Sequence, residues 1–509
     1  MSSIRSRSAA SAGLGYTDVP TSPVPAGLLS SGVILSAHQT DMVHETISIA
    51  QSRISHIDSE ITRLMDSVGE LQHKRAALLT YTKNHIALVA PIRRLPSEIL
   101  SEIFLHCMDP KGFGPEYDFR EQPCLDKMPL LLGEICSRWR SIALSTPRLW
   151  ASLSLSIRPK YLNSDTKLAK TWLSRSGTCP LFISLRNGKP FQNNMQRLMQ
   201  VLLAHCEHWY DIRLAVNMPI LRALSPAKNR LPMLQKLYIC MTNVDAFDIF
   251  NSAPQLRYFY LAGYNVLSKI QIPWNQLQYC DTGNLQTDLC LDLFSLTPNL
   301  VRCTVSPSGQ ESSEPRSPVQ LPHLRSITIS RTVQLLDKLL VPELHEISFR
   351  DTITTGKSAQ QLTSFLLRCP VRKLSFASKY EVIHDLGQFL QASPALLELE
   401  LLGWTAQSMT TSFLARFTHG NSSKDLGAPQ MLPLLHTMII DYSPSHFDIL
   451  DFADSIQSRM VFDVLKRVEI RLLPHVSAKS LHSATLRRLR RLRDIGLDIS
   501  VLCDNRELL

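Results

Sequence analysis

The chain has 509 residues, 44% of them apolar and 19% charged, with a formal net charge of +10. That length allows two to four domains or one long repeat array, and the apolar share allows a large core. So mild a positive balance does not by itself mark a nucleic-acid binder, and no apolar run approaches the roughly 18 residues that span a bilayer. Eleven cysteines lie far apart with no Cys-x-x-Cys pair among them. This pattern reads as reduced, buried thiols in the cytosol or nucleus, with no disulfide framework and no metal or other cofactor.

Residues 1–35, rich in Ser, Ala, Gly and Pro with Arg5 and Arg7, read as a disordered tail whose composition also suits a transit peptide. From 36 to 88 a coiled-coil helix is expected. Ile47, Ile54, Ile61 and Val68 occupy one heptad position, and Ala50, Ile57, Leu64, Leu71 and Leu78 the position three residues later. So narrow a seam needs a cover, either self-association through 40–82 or docking on the chain's own body.

A helical pair is expected over 90–155. Leu95, Pro96, Glu98, Ile99, Leu100, Ile103 and Phe104 form the first pattern, with proline suited to a helix start and Glu98 to its positive end. A second helix is expected over 130–143, with Ile135, Cys136, Trp139, Arg140, Ile142 and Ala143, followed by Pro147, Leu149 and Trp150. Between them lies an inserted loop, 109–129, carrying Pro110, Gly112, Gly114, Pro115 and Pro123. Leu-Pro-x-Glu-Ile-Leu-x-x-Ile-Phe followed by Cys-x-x-Trp-Arg-x-Ile-Ala and Pro-x-Leu-Trp resembles the F-box. An upstream heptad helix and a long insertion look like the fungal, mushroom-type members of that family. The resemblance implies that Leu95, Pro96, Ile99, Leu100, Ile103, Phe104, Ile135, Trp139 and Trp150 make or brace a contact with the Skp-type adaptor, and through it the cullin, of an SCF ubiquitin ligase.

Over 165–505 a unit recurs, apolar-x-x-apolar-x-apolar. Its copies begin at Leu234, Leu256, Leu300, Leu324, Leu344, Val371, Leu396, Leu435 and Leu465, with weaker ones at Trp209, Leu277 and Leu492. Proline stands two positions before seven of them, at 232, 254, 298, 322, 342, 394 and 433. With 30 prolines in 509 residues, chance predicts fewer than one such coincidence among twelve copies. Each unit has the period of a short strand, and helical patterns such as Ala359–Arg368 and Leu386–Ala392 lie between units. The expected fold is therefore α/β: a coiled-coil helix, a small all-α F-box, then an irregular solenoid that resembles leucine-rich repeats. The family's Asn or Cys three residues after the unit is usually absent, with Thr242, Ser308, Thr332, Thr352 and Ser443 there instead, whose hydroxyls are expected to meet some of the amides an Asn ladder would. Loops are expected at 306–318 and 418–429.

Phosphate-binding, nucleophile-elbow and zinc-protease motifs are absent from the sequence, and His205-Cys206-Glu207-His208 has no second cluster at zinc spacing. The run from Leu486 to Arg493 reads as an amphipathic final helix, or as a signal for nuclear import or an acidic partner. These features point to a non-catalytic, substrate-recognition subunit. A target protein is expected along the concave strand face, on outward residues Tyr238, Arg257, Tyr260, Arg302, Arg325, Thr328, Arg372 and Lys373. A non-ligase repeat scaffold and an RNA-binding repeat protein are the alternatives.

Overall fold

The computed structural model describes residues 19–29, 33–108, 128–187, 195–241, 245–262, 267–308, 316–352, 357–378, 386–403, 414, 417–418, 431–443, 447–460, 464–473, 483–503 and 506–509. The chain divides after Pro96 into two compact units.

The first unit is dominated by one helix, α1, Ala37–Val89, 53 residues long. Its start matches the expected boundary because Ser36 caps it. The Ser36 hydroxyl accepts from the Gln39 amide at 3.4 Å, and the Gln39 side chain accepts from the Ser36 amide at 3.1 Å. It ends at Ala90, in an extended conformation (ψ 131°) ahead of Pro91, whose ring disfavours helix in the preceding residue. The tail expected over 1–35 is not featureless throughout, since Ala26–Leu29 forms one helical turn. Residues 1–18 and 30–32 lie outside the described residues.

The second unit opens with three short helices, α2 (Ser97–His106), α3 (Met128–Ile135) and α4 (Ser137–Leu144). The single helix expected over 130–143 is thus two. Cys136 breaks it by taking an extended backbone (φ −161°, ψ 167°), and its sulfur accepts from the Trp139 amide at 3.4 Å, capping α4. The insertion lies outside the described residues over 109–127, and α3 begins at Met128, inside the span expected to be loop.

A fifteen-stranded sheet follows, its strands in chain order and each parallel to the next, except for the last pair. They are β1 (Ser152–Ile157), β2 (Leu181–Asn187), β3 (Trp209–Ala215), β4 (Lys236–Cys240), β5 (Tyr258–Ala262), β6 (Tyr279–Gln286) and β7 (Arg302–Ser308). After β8 (Val319–Gln320) come β9 (Ser326–Ser330), β10 (Leu339–Leu340), β11 (Glu346–Arg350), β12 (Lys373–Ser378) and β13 (Glu398–Gly403). The last are β14 (Thr437–Tyr442), β15 (Arg467–Leu472), β16 (Asp498–Cys503) and β17 (Arg506–Glu507). Strands β8 and β10 pair separately.

The nine strong copies each coincide with a strand that begins two residues into the unit. In the seven that carry the proline, the first residue is the last of a turn. The amides of Leu256, Leu300, Leu324, Leu344, Leu396 and Leu435 donate to the carbonyls three residues back, at 3.1–3.4 Å. Each proline is the second residue of that turn, where its fixed φ fits and its missing N–H costs nothing. The other apolar positions form buried rows across the sheet, such as Phe259, Cys280, Cys303, Ile327, Ile347, Leu374 and Leu399.

Several expectations need correction. The array starts at β1, not at 165, so the expected 90–155 boundary cuts into its first strand. The weak copy at Leu492 falls in a helix, and the strand lies beyond it at 498–503. Ser306–Ser308 extend β7 rather than opening a loop; 309–315 and 419–429 lie outside the described residues.

Helices α5 (Leu162–Arg175), α6 (Gln196–Leu203), α7 (Met218–Ala223), α8 (Thr287–Leu296), α9 (Lys357–Arg368), α10 (Leu386–Gln391), α11 (Ile449–Met460) and α12 (Ser483–Asp494) fill some connections. Others, such as 331–345, hold only 3-10 turns and short strands. Two of the hydroxyls that replace Asn act differently from expectation and one meets an amide as expected. Ser308 and Thr352 donate to the Leu285 and Ile329 carbonyls of the preceding strand region at 3.3 and 3.4 Å, while Thr332 accepts from the Gln334 amide. Thr242 lies outside the described residues.

Gly403 ends β13 at φ +66°, and its amide donates to Asp441 at 2.7 Å. A Cβ there would stand 2.2 Å from the Ser378 carbonyl oxygen. Gly403→Ala is expected to lower unfolding free energy by more than about 1 kcal/mol, combining left-handed strain with that clash. Urea titration followed by circular dichroism measures it.

Candidate binding surfaces

The expected adaptor residues divide into an inward and an outward set. In the second unit Leu100, Phe104 and Trp150 are buried, so they brace the helices and cannot touch a partner. Trp139 is half-buried, with its ring 4.8 Å from that of Phe104. Ile99 (48% exposed) and Ile103 (37%) follow each other at helical i, i+4 spacing on α2, and Leu131 (50%) and Ile135 (59%) do the same on α3. In the first unit Leu95 is half-buried and Pro96 exposed. Leu130 and Leu131 were not among the expected site residues. A run of three leucines at 130–132 cannot be buried on one helix face, and only Leu132 is.

Trp150 fastens these helices to the sheet. Its Nε1 donates to the Ala143 carbonyl of α4 at 2.7 Å, and its ring meets that of Trp172 edge-on at 4.7 Å. Trp172 on α5 in turn donates to the Ser152 carbonyl of β1 at 2.8 Å. The outward isoleucines thus stand on a rigid base.

The second surface is the polar face of the sheet. Within each unit the third and fifth positions point to this face, in register. One row runs Lys236, Tyr258, Tyr279, Arg302, Ser326, Glu346, Lys373, Glu398; the next runs Tyr238, Tyr260, Asp281, Thr304, Thr328, Ser348, Ser375, Glu400. A groove of about 530 Å³ follows these rows. Thr304, Thr328, Ser348 and Ser375 give it a hydroxyl floor. Tyrosines wall one end, with Tyr238 and Tyr258 centred 5.0 Å apart and Tyr258 and Tyr279 6.2 Å apart. Lys373 closes the other, 2.7 Å from Glu400 and 3.1 Å from Glu398. Burial alone would pull the Lys373 ammonium down, but hydrogen bonds and charge from both glutamates outweigh it and hold it above its usual range.

Five of the eight expected target-binding residues belong to this face: Tyr238, Tyr260, Arg302, Thr328 and Lys373. Tyr238 is buried, flanked by Tyr258, Tyr260 and the Arg213 guanidinium, 4.3 Å from its ring, so it supports the wall without offering contact area. Arg257, Arg325 and Arg372 occupy the second position of their units. Arg257 and Arg325 line a separate groove of about 410 Å³ at the strand starts, with Gln278 and His323, and Arg372 is exposed just before β12. Arg257 also reaches the margin of the larger groove. The repeat pattern alone does not tell the second position from the third; the turn does, because it fixes where the strand begins.

Asp281, Tyr258 and Arg350 were missed, although Asp281 and Tyr258 occupy third and fifth positions of recognised units. Tyr258 Oη donates to Asp281 Oδ2 at 3.0 Å. Burial pushes the Asp281 carboxyl above the ordinary carboxylate range, against hydrogen bonds from Thr304 and Tyr258 and the charge of Arg350. Burial and the same carboxylate push the Tyr258 hydroxyl up.

Among the described residues no group of three or more His, Cys, Asp or Glu side chains could hold a metal ion. In the 205–208 cluster Cys206 is buried and Glu207 pairs with Arg230 at 3.0 Å. The ten described cysteines are free thiols. Among the described residues no helix is long and apolar enough to cross a membrane. Of the five arginines in the 486–493 run, Arg488 pairs with Asp454 at 2.7 Å, Arg493 with Glu507 at 3.1 Å, and Arg490 donates to the Leu508 carbonyl. Only Arg488 is half-buried; Arg487, Arg490, Arg491 and Arg493 are exposed while Leu489 and Leu492 are buried, as expected of an amphipathic final helix, and two strands follow it. Compared with known proteins, the chain matches no family model and no curated sequence.

Because ionised Asp281 carries a burial penalty, the folded state loses stability as pH rises through its raised pKa. Asp281→Asn removes that charge and keeps an acceptor for Tyr258. Its melting temperature relative to wild type is expected to be more favourable at pH 7 than at pH 4, measured by calorimetry at both.

Proposed function

We propose that this chain is the substrate-recognition subunit of an SCF-type ubiquitin ligase. Helices α2–α4 would act as an F-box, and the strand array as an irregular leucine-rich-repeat-like solenoid that holds a target. One observation carries the reading. The residues of the F-box-like motif separate into a buried brace (Leu100, Phe104, Trp150) and an exposed apolar set (Ile99, Ile103, Ile135). Covering such half-exposed side chains with an adaptor would contribute on the order of 1 kcal/mol each, about half their full burial value.

On this reading the chain performs no bond chemistry. It supplies proximity, holding target lysines where ubiquitin linked to another subunit reaches them. The cullin joins through the adaptor. The target lies along the polar face, where the tyrosine wall offers aromatic area and Arg302, Arg350 and Lys373 offer charge-assisted hydrogen bonds. A target bearing both acidic and hydrogen-bonding groups suits a face on which acids and bases alternate. A polynucleotide suits it less, since Lys373 is held between Glu398 and Glu400, and Glu469 between Arg467 and Arg471. The reading places the chain in the cytosol or nucleus.

Co-purification with a Skp-type adaptor tests the assignment. Wild type is expected to retain the adaptor. Ile99→Asp with Ile135→Asp is expected to lose it with an unchanged melting temperature, as both side chains are exposed; Leu95→Asp and Pro96→Ala are also expected to lose it. A wild-type chain that never retains the adaptor sinks the reading.

A separate pair, Arg302→Glu with Lys373→Glu, is expected to keep the adaptor and lose the target. Quantitative mass spectrometry of proteins captured by each version reads this out.

A further inference from the structure

The long helix α1 carries a second surface. None of its 53 residues is buried, and the seam residues Ile47, Ile54, Ile61, Val68, Ile57, Leu64, Leu71 and Leu78 are each 44–66% exposed. Within the first unit no described residue covers this stripe, about 48 Å long from 47 to 78 at 1.5 Å per residue. Apart from Arg75, the charged residues keep off it. Glu60 pairs with Arg63 at 2.5 Å and Glu70 with Lys74 at 3.7 Å, at i+3 and i+4 spacing beside the stripe.

We propose that a second copy of this chain covers the stripe, in a parallel, in-register, two-stranded coiled coil. Three observations select this occupant and geometry. Isoleucine and valine fill the first four a positions, and leucine the later d positions, the pairing that favours parallel dimers. Arg53 falls at a g position and Asp58 at the following e. A parallel partner therefore sets Arg53 against the other copy's Asp58, twice by symmetry. The antiparallel alignment that keeps the same seam, with Ile47 opposite Leu78 and Ile61 opposite Leu64, sets Arg53 against Lys74 twice instead, a like-charge pair. Finally, Arg75 takes an a position. In a two-stranded coil its long side chain reaches past the seam to water, whereas three or four strands would enclose it.

The dimer does not depend on the ligase reading. If that reading also holds, two polar faces act on one assembly, and a target with two binding segments gains avidity without new contacts.

Light scattering on the full-length chain gives the copy number. Two chains of 57.4 kDa amount to about 115 kDa, the mass expected at micromolar concentration. A single-chain mass at tens of micromolar, or a three-chain mass, overturns the proposal. Orientation is read from charge. Arg53→Asp is expected to weaken the dimer several-fold, and adding Asp58→Arg to restore it; tightening by Arg53→Asp alone would mean antiparallel pairing and overturn the geometry. Ile54→Cys under mild oxidation is expected to give a 54-to-54 disulfide, mapped by mass spectrometry against wild type. Its absence in a chain that is dimeric by mass overturns the in-register parallel arrangement. Adaptor retention is measured separately, so failure of either proposal leaves the other readable.

Discussion

Each strand of the large sheet borrows its backbone hydrogen bonds from its neighbour, and that loan organises the second unit. At the start of successive strands one carbonyl accepts from two consecutive amides of the next unit. Gln278 O takes Val301 and Arg302, Val301 O takes Arg325 and Ser326, and Arg325 O takes His345 and Glu346. The pattern continues through His345, Arg372, Leu397 and His436. A single parallel strand over a buried apolar row would leave these groups unsatisfied, at a cost near that of a lost hydrogen bond each. Stability is then a chain of nearest-neighbour terms, and the two end strands need special treatment. At one end Trp150 and Trp172 join β1 to the three-helix base. At the other, the two-residue β17 turns back antiparallel on Leu502 and Cys503 of β16, and α12 arginines donate to the Leu508 and Leu509 carbonyls, so the outermost strand is short and flanked by cations, which disfavours pairing with another chain.

Much of this was legible because the turn and the strand share one signature. A proline followed two residues later by a leucine, then alternating apolar residues, encodes both the reversal and the buried row. Seven of the nine strong units carry that full signature, and the other two, at Val371 and Leu465, became strands on the alternating apolar residues alone. The first two strands were not read, since Ser152–Ile157 and Leu181–Asn187 alternate without the proline turn, and Trp150 had been assigned wholly to the helical motif. The break at Cys136 was also invisible. A cysteine at a cap competes weakly with helix, and nothing in the apolar spacing of 130–143 announces a stop.

Buried charge was the other blind spot. Asp211 and Arg213 are almost fully buried on the polar side of β3, held to each other at 3.1 Å. Arg459, also buried, donates to the carbonyls of Phe417, Leu432 and Met431, with the Phe417 ring 3.9 Å away, and burial lowers it to about 10. Charged residues are surface residues by default, so no single-sequence argument places these inside. Their burial is decided by which neighbours supply partners: Asp211 and Arg213 supply each other within β3, while the carbonyls that hold Arg459 lie 27 or more residues before it.

The same logic explains why the groove is shaped as it is. Strand spacing near 4.8 Å fixes neighbouring side chains of a row at that interval, so residue size alone decides relief along the face. Small hydroxyls on four consecutive strands, from β7 through β9 and β11 to β12, make a floor of roughly 14 Å between the outermost two. Tyrosines on β4, β5 and β6 then rise as a wall, stiffened by ring contacts and by the Tyr258–Asp281 bond. Lys373 rises at the other side, oriented by two glutamates. Side chains already held by one another lose little freedom when a partner arrives, which lowers the entropy cost of association. The reactive-looking groups nearby are poorly placed for chemistry. Cys280 and Cys303 face the opposite, apolar side of the sheet, and burial pushes both thiols up, away from the thiolate that would react. A rigid, mixed-charge groove with an aromatic wall is suited to gripping a surface, and the repeat that builds it does so one residue per strand.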